Sequence, residues 1–207
     1  MNKVNLVWAT PDGENLVAYM ARVSNPNNQD NKSTAPKLLN YLISNKHWSP
    51  FEMVNVCVEI ETTRDIARQI LRHRSFSFQE FSQRYAVALP AKPREARMQD
   101  EKNRQNSLFN DDIELDYLWE YKQHAVLRTC MDVYEFALKN NIAKEVARSV
   151  LPEGLITSKM YMNGTLRSWL HYIDIRCDEA TQKEHRLIAN QCRDIITNLY
   201  PSLKDVL

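Results

Sequence analysis

The sequence predicts an α+β fold, a single domain in which a mainly antiparallel sheet is flanked by long helices. Its 207 residues, 43% of them hydrophobic, suffice for one sizeable core or at most two small domains. Strict alternation of apolar and polar residues marks one long strand, and helical spacing of apolar residues recurs through the second half. No apolar run approaches the roughly 18 residues of a membrane span. The N-terminal apolar run is too short for a secretory signal, so we expect a cytoplasmic protein.

The first quarter of the chain contains three predicted elements and a polar loop. The apolar stretch 3–8 predicts a strand, and residues 14–24 predict a helix. Residues 25–36 are rich in turn-forming Asn, Pro and Ser, which indicates a loop. Helical spacing of apolar residues then predicts a helix over 37–45.

The clearest strand is predicted over 49–63. Its even-numbered residues from Val54 to Ile60 are apolar and alternate with residues that are free to be polar, so one face is buried. A helix is predicted over 64–72, and on one side of it arginines recur every fourth residue, at Arg64, Arg68 and Arg72. A solvated helix face would explain these arginines, but the cationic residues that follow them favour a binding role.

The second half is predicted to be helical apart from one excursion and one strand. Residues 89–112 are polar and carry two prolines, which indicates a long, mobile loop. Helices are predicted over 111–140, 143–152, 165–176 and 180–200, with a strand over 155–163. The expected core positions of the long helix are Leu115, Leu118, Trp119, Val126, Leu127, Val133, Phe136 and Ala137.

Composition excludes several kinds of site. Lys+Arg 27 against Asp+Glu 26 gives a net charge of +1, so an anion site must be local. The four cysteines form no C-x-x-C pair and the five histidines lack metal-ligand spacing, so we expect reduced thiols and no metal. With only three glycines, neither a dinucleotide-binding turn nor a phosphate loop can be written. Side chains would therefore have to bind any phosphate.

Residues 72–85, "RHRSFSFQEFSQRY", combine cationic and aromatic side chains. A solvated surface needs no aromatic residues in this pattern, and a core cannot bury these cations without partners. The segment therefore indicates a ligand that is anionic and partly planar. Two other hypotheses are a structural helical protein whose arginines form ion pairs, and a single-stranded nucleic-acid module that stacks bases on Phe76, Phe78, Phe81 and Tyr85.

The same segment resembles a known signature. "RHR" at 72–74, seven residues, Ser82, one residue and Arg84 reproduce the RHR-x7-S-x-R pattern of the flavin-dependent thymidylate synthases. Three flanking stretches are similar to the same family: "HWSPFE" (47–52), "EVARSVLP" (145–152) and "LRSWLHYIDIRCDEATQKE" (166–184). The similarity spans about residues 1–200, so residues 1–207 are expected to form one domain.

The resemblance implies a homotetramer that methylates dUMP to dTMP at active sites on its subunit interfaces. FAD would be the cofactor, with NADPH reducing it and methylene-tetrahydrofolate supplying the carbon. Neither nucleic acid nor a membrane would be a partner. The positions that surround FAD in the family correspond to Ser49, Arg72, His73, Arg74, Glu80, Thr165, Leu166, Arg167 and His171, with His47 a weaker candidate.

The dUMP contacts that the resemblance implies correspond to Gln69, Ile70, Leu71, Arg72, Glu80, Phe81, Ser82, Gln83, Arg84, Arg148 and Arg176. Guanidinium groups such as Arg84 and Arg148 suit a phosphate monoester because they donate paired hydrogen bonds, although Arg148 could instead pair on its own helix. Arg176 is the catalytic candidate, since a fixed guanidinium beside uracil stabilises its anionic form without a thiol nucleophile. The alternative for Arg176 is an ion pair with Asp174 or Asp178.

Three positions depart from the family pattern. Met53 and Ala180 stand where members carry histidine, and Thr165 stands where many carry asparagine. Thr165 keeps a hydroxyl that donates and accepts hydrogen bonds, but it lacks the amide. We expect these changes to alter individual FAD contacts and not the reaction.

Overall fold

A four-stranded antiparallel sheet organises the fold, which a computed structural model describes over residues 2–88, 90 and 93–207. Its strands, in spatial order, are β1 (Lys3–Ala9), β2 (Asn55–Thr63), β6 (Thr157–Thr165) and β3 (Phe76–Glu80). A separate hairpin is formed by β4 (Arg97–Gln99) and β5 (Ser107–Phe109). The α+β class predicted from the sequence is confirmed.

Helices were predicted in the right places, with ends that differ by a few residues. They are α1 (Gly13–Ala21), α2 (Ala35–Ser44), α3 (Arg64–Ile70), α4 (Ile113–Lys139), α5 (Lys144–Ala147), α6 (Leu166–Arg176) and α7 (Lys183–Leu199). After α5 the chain tightens into a 3-10 turn at Arg148–Val150 ahead of Pro152, whose ring disfavours a longer helix. None of the helices in the described ranges is apolar over a length that would cross a bilayer.

The main core lies between the sheet, α6 and α7. Val56, Val58 and Ile60 are buried on the predicted face of β2. Trp169 of α6 packs against this face, and its indole Nε1 donates to the carbonyl of Val56 at 3.0 Å. This contact ties the helix that carries several candidate site residues directly to the central strand.

The edge strand β3 was not predicted, because its aromatic residues were assigned to a ligand. Phe76 pairs with Gly164 of β6, and a Cβ on Gly164 would lie 2.4 Å from the Phe76 ring. Only glycine allows this close approach of a ring to a neighbouring strand. The approach fixes the turn before β3 against the start of α6.

Two further predictions differ from the structure. Residues 49–53 form a 3-10 turn with Pro50 in its first turn, so the strand predicted over 49–63 begins only at Asn55. The 89–112 segment, of which Leu89, Ala91 and Lys92 lie outside the described residues, contains the β4–β5 hairpin. Ion pairs of Arg94 with Asp65 and of Arg97 with Glu184 attach it to α3 and α7.

The core positions predicted for α4 are mostly wrong. Trp119, Val126 and Phe136 are exposed, and the side chains that α4 does bury are Gln123, Tyr134 and Ala137. Of the predicted set, Ala137 is buried and Leu127 partly so. Helical periodicity identified an apolar side of this helix, but within the described part of the chain little covers it.

Candidate active site

A cavity of about 560 Å³ lies where the start of α6 meets the 49–53 turn. Trp48 and Leu170 provide apolar walls, and the polar lining includes Thr165, Arg167 and His171. This volume falls within the roughly 300–1,000 Å³ of small-molecule sites. The structure therefore brings three of the residues predicted to surround FAD to one cavity.

Thr165 joins the end of β6 to the start of α6. Its Oγ1 accepts a hydrogen bond from the backbone N–H of Ser168 at 3.3 Å, which caps the helix. The same hydroxyl donates to Oε2 of Glu52 at 2.7 Å. Thr165 thus supplies both a helix cap and a polar contact in the cavity.

Glu52 is a cavity residue that sequence reasoning missed, although it lies within the quoted stretch "HWSPFE". Arg167 Nη1 donates to its Oε1 at 2.6 Å. This hydrogen bond, reinforced by that from Thr165, lowers the pKa of Glu52, so the carboxylate is ionised at pH 7. The positive charge of Arg167 in the cavity is therefore neutralised by Glu52.

The residues of the turn after α3 have different environments. Arg72 and Arg74 are exposed, whereas Ser75 lines the cavity. His73 is half-buried, and its Nε2 accepts a hydrogen bond from Arg176 Nε at 2.9 Å. Among the described residues, the histidine is the one "RHR" side chain with a hydrogen bond to a neighbouring helix.

His73 is neutral in this setting. Burial, followed by the charge of Arg176, lowers its pKa to about 4. Since Nε2 accepts from Arg176, the single ring proton resides on Nδ1. The ring also packs edge-on against Tyr172, with centroids 4.9 Å apart. The orientation of Arg176, the catalytic candidate, is therefore fixed through its Nε. Among the described residues, Arg176 forms no ion pair with Asp174 or Asp178, so the alternative is wrong.

A third group of predicted residues lies on the turn after β3 and on the elements around α5. Arg84 is exposed and forms an ion pair with Glu145 at 3.3 Å. Lys144 donates to the carbonyl of Tyr85 at 2.9 Å, which holds this turn beside α5, and half-buried Arg148 follows directly after that helix. Within residues 2–88, 90 and 93–207, no hydrogen bond or ion pair connects this group with His73 or Arg176.

Gln83 belongs to the same turn and has an unusual environment. Its side chain is buried, with 3% exposure, yet Nε2 has no hydrogen-bond partner among the described residues. A buried amide donor left unpaired is costly.

Other predicted residues occupy less direct positions. Leu166 and Ile70 are buried in the core, so their side chains face away from solvent. Glu80 accepts a hydrogen bond from Ser158 at 2.6 Å and pairs with Arg64 at 3.7 Å. The rest are exposed or half-buried outside the cavity lining: Ser49 and His47 near the 49–53 turn, Leu71 after α3, and Phe81 and Ser82 after β3.

The nucleic-acid hypothesis is disfavoured by the aromatic residues themselves. Phe76 is buried and packs against Trp169 with ring centroids 4.8 Å apart, so it cannot stack on a base. Phe78 also packs partly against the core. The hypothesis that ion pairs explain the arginines holds for several of them, including Arg64 with Glu80, Arg68 with Glu153 and Arg84 with Glu145.

Comparisons with known proteins agree with the geometry. A family model described as "Thymidylate synthase complementing protein" matches residues 5–202. A flavin-dependent thymidylate synthase of Synechocystis sp. is 52% identical over 194 residues, covering 94% of this chain and 89% of the relative. A probable flavin-dependent thymidylate synthase of Paramecium bursaria Chlorella virus 1 is 48% identical over 195 residues, covering 94% and 90%.

Among solved structures, a UMP/dUMP methylase PolB from Streptomyces cacaoi bound with 5-Br dUMP has a similar fold. The TM-score is 0.84 at 24% identity, over 98% of this chain and 92% of that one. Fold and sequence together define a protein of the flavin-dependent thymidylate synthase type. The chain belongs to the thymidylate synthase complementing protein family. The resemblance drawn from the RHR-x7-S-x-R signature is confirmed.

Proposed function

We propose that this chain catalyses the reductive methylation of dUMP to dTMP. Methylene-tetrahydrofolate supplies the one-carbon unit, and tetrahydrofolate is released. The single observation that carries the proposal is the half-buried guanidinium of Arg176, whose Nε is fixed by neutral His73, in a chain of this family.

The residues present fit a flavin. The cavity combines apolar walls at Trp48 and Leu170 with hydrogen-bonding groups at Thr165, Arg167 and His171, which suits a planar, amphipathic ring system. The exposed cations Arg72 and Arg74 lie on the turn that also contributes Ser75 to this cavity and are available to a pyrophosphate. FAD held there would supply the hydride-transfer chemistry between NADPH and the one-carbon unit.

The role of this chain's residues in the chemistry follows from charge. Uracil becomes nucleophilic at C5 when negative charge develops on its N3 and carbonyl groups. The Nε–H of Arg176 is used by His73, so its terminal N–H groups are preoriented donors for that charge. Arg84 and Arg148 bind the phosphate.

Assembly into a homotetramer is part of the proposal. The apolar side of α4 exposes Leu118, Trp119, Val126, Val133 and Phe136, and a contiguous row of exposed apolar side chains is typical of a protein interface. Packing this helix against other copies would bury it and complete a nucleotide site that one chain leaves open at Arg84. We place the protein, one domain over residues 1–207, in the cytoplasm, consistent with four free cysteines.

The decisive experiment is an anaerobic assay with FAD, NADPH, methylene-tetrahydrofolate and dUMP. We expect a yellow protein that forms dTMP, detected by mass spectrometry, with dTMP absent when any one substrate is omitted. Light scattering during gel filtration should give the mass of four chains. A colourless protein, or NADPH oxidation without dTMP at any dUMP concentration, would contradict the proposal.

A further inference from the structure

A line of hydrogen bonds begins at Glu184, and this carboxylate fixes its direction. Glu184 accepts from Arg97 Nη2 at 2.7 Å and from Gln182 Nε2 at 2.9 Å. Burial opposes its ionisation, but these hydrogen bonds outweigh burial and lower the pKa of Glu184. An ionised carboxylate can only accept hydrogen bonds, so Gln182 must turn its NH2 group towards Glu184 and its oxygen away. Gln69 Nε2 donates to that oxygen at 2.7 Å.

His185 continues the line inside the core, where its side chain is fully buried. Because the NH2 group of Gln69 faces Gln182, the Gln69 oxygen faces His185 Nδ1, 3.4 Å away. An amide oxygen only accepts, so Nδ1 carries the ring proton. His185 Nε2 is then the acceptor for the hydroxyl of Tyr172 at 3.1 Å. Every donor from Tyr172 to Gln182 points the same way.

This arrangement requires a neutral His185. Burial, with smaller contributions from the charges of Arg176 and His73, lowers its pKa to about 3, so the ring has one proton at pH 7. Its partner Tyr172 packs edge-on against His73, the residue that holds Arg176. His185 thus contacts both Gln69 and the tyrosine that packs on His73, and it does not line the cavity.

We infer that His185 is a positioning residue for recognition of the pyrimidine base. With Tyr172 it fixes the orientation of the Gln69 amide: the oxygen is turned towards His185, and the second amide N–H, which has no partner among the described residues, can only donate. A free donor suits a carbonyl oxygen, as in uracil, and opposes the amino group of cytosine. The inference rests on the proposed function and on the dUMP contact that the family resemblance implies for Gln69.

The test compares the dissociation constants of dUMP and dCMP on the FAD-loaded protein by calorimetry. His185→Leu removes both ring nitrogens and frees the Gln69 amide to flip. We expect it to lower the dCMP-to-dUMP ratio of dissociation constants about tenfold, the effect of one amide hydrogen bond. His185→Asn retains a donor at the distance of Nδ1 from the backbone and should keep most of the discrimination. Tyr172→Phe should lower the ratio by about threefold, because the ring proton is no longer confined to Nδ1.

Ile188→Val is the matched control, since Ile188 packs in the same core on the same helix through apolar contacts. It should change thermal stability without changing the ratio, whereas the His185 and Tyr172 variants should change both the ratio and the KM for dUMP. If His185→Leu does not fold, Tyr172→Phe and His185→Asn decide. If the wild type binds dUMP and the ratio is the same in His185→Leu and Tyr172→Phe as in the wild type, His185 is a structural residue. A wild type that neither binds dUMP nor forms dTMP would overturn the proposed function and this inference together.

Discussion

Two groups of candidate site residues differ in how far one chain organises them. His73 and Arg176 are half-buried and joined by a hydrogen bond, with Tyr172 and His185 packed behind them. Arg84, by contrast, is exposed and forms an ion pair with Glu145, in which both side chains are more than half exposed. Exposed ion pairs of this kind contribute little to stability.

The difference teaches where preorganisation is needed. A group that stabilises developing charge acts best when it is already fixed in a partly dry setting, because it then needs no reorganisation during the reaction. A group that binds a phosphate, whose charge is constant, can be ordered by the ligand itself. We therefore expect the His73–Arg176 pair to affect rate and the exposed Arg84 to affect affinity.

The largest expected effect comes from Arg176→Ala. Loss of one preorganised charge at a developing anion lowers the rate of dTMP formation by about a hundredfold to a thousandfold. FAD binding and NADPH oxidation should continue, because flavin reduction does not require a nucleophilic C5. Lysine should rescue only in part, since it lacks the planar guanidinium. The measurement is dTMP formed per NADPH oxidised.

Arg186→Ala serves as the control for that variant. Arg186 is a half-buried arginine on α7 that donates to the carbonyl of Glu179, so its loss should leave dTMP formation unchanged. Near-normal dTMP production by Arg176→Ala would show that the pair with His73 is structural, and the contrast between the two groups would then disappear.

A smaller effect, confined to binding, is expected for Arg84→Ala. Loss of a charge-assisted hydrogen bond to phosphate should weaken dUMP binding by about tenfold to a hundredfold. Affinity for deoxyuridine, which lacks the phosphate, should not change. Titration of both ligands measures this directly. Glu145→Gln, which releases Arg84 from its ion pair, should not weaken dUMP binding. An equal loss for both ligands would argue that Arg84 shapes the site and does not bind phosphate.

Sequence reasoning succeeded where the physical signal is local. Alternation from Val54 to Ile60 located β2 and its buried face, because the side-chain period of a strand is visible within a few residues. It failed for α4, since periodicity reveals an apolar side but not what covers it. The signature residues were found through the resemblance, not through local pattern.

The hydrogen-bond line behind the site could not have been predicted from sequence. His185 meets Tyr172 13 residues away and Gln69 116 residues away, and no spacing rule connects such partners. A lone histidine on the apolar side of a helix gives no signal of its own. The polarity of the line follows only from the three-dimensional contact of Gln182 with Glu184.

The smallest expected effect is that of Cys177→Ser, which tests whether proximity to Arg176 activates a thiol. Burial is the main reason that the pKa of Cys177 is raised, and it outweighs the opposing charge of Arg193. A thiol that is mostly protonated at pH 7 is a poor nucleophile, so dTMP formation should stay within about twofold of wild type. Cys192→Ala, which removes a buried sulfur on α7, shows how much thermal stability the loss of a buried thiol costs. If Cys177→Ser abolished turnover while FAD and dUMP still bound, the reaction would use a cysteine nucleophile and not the charge stabilisation assigned to Arg176. The preorganised pair would then be Cys177 and Arg176, not His73 and Arg176.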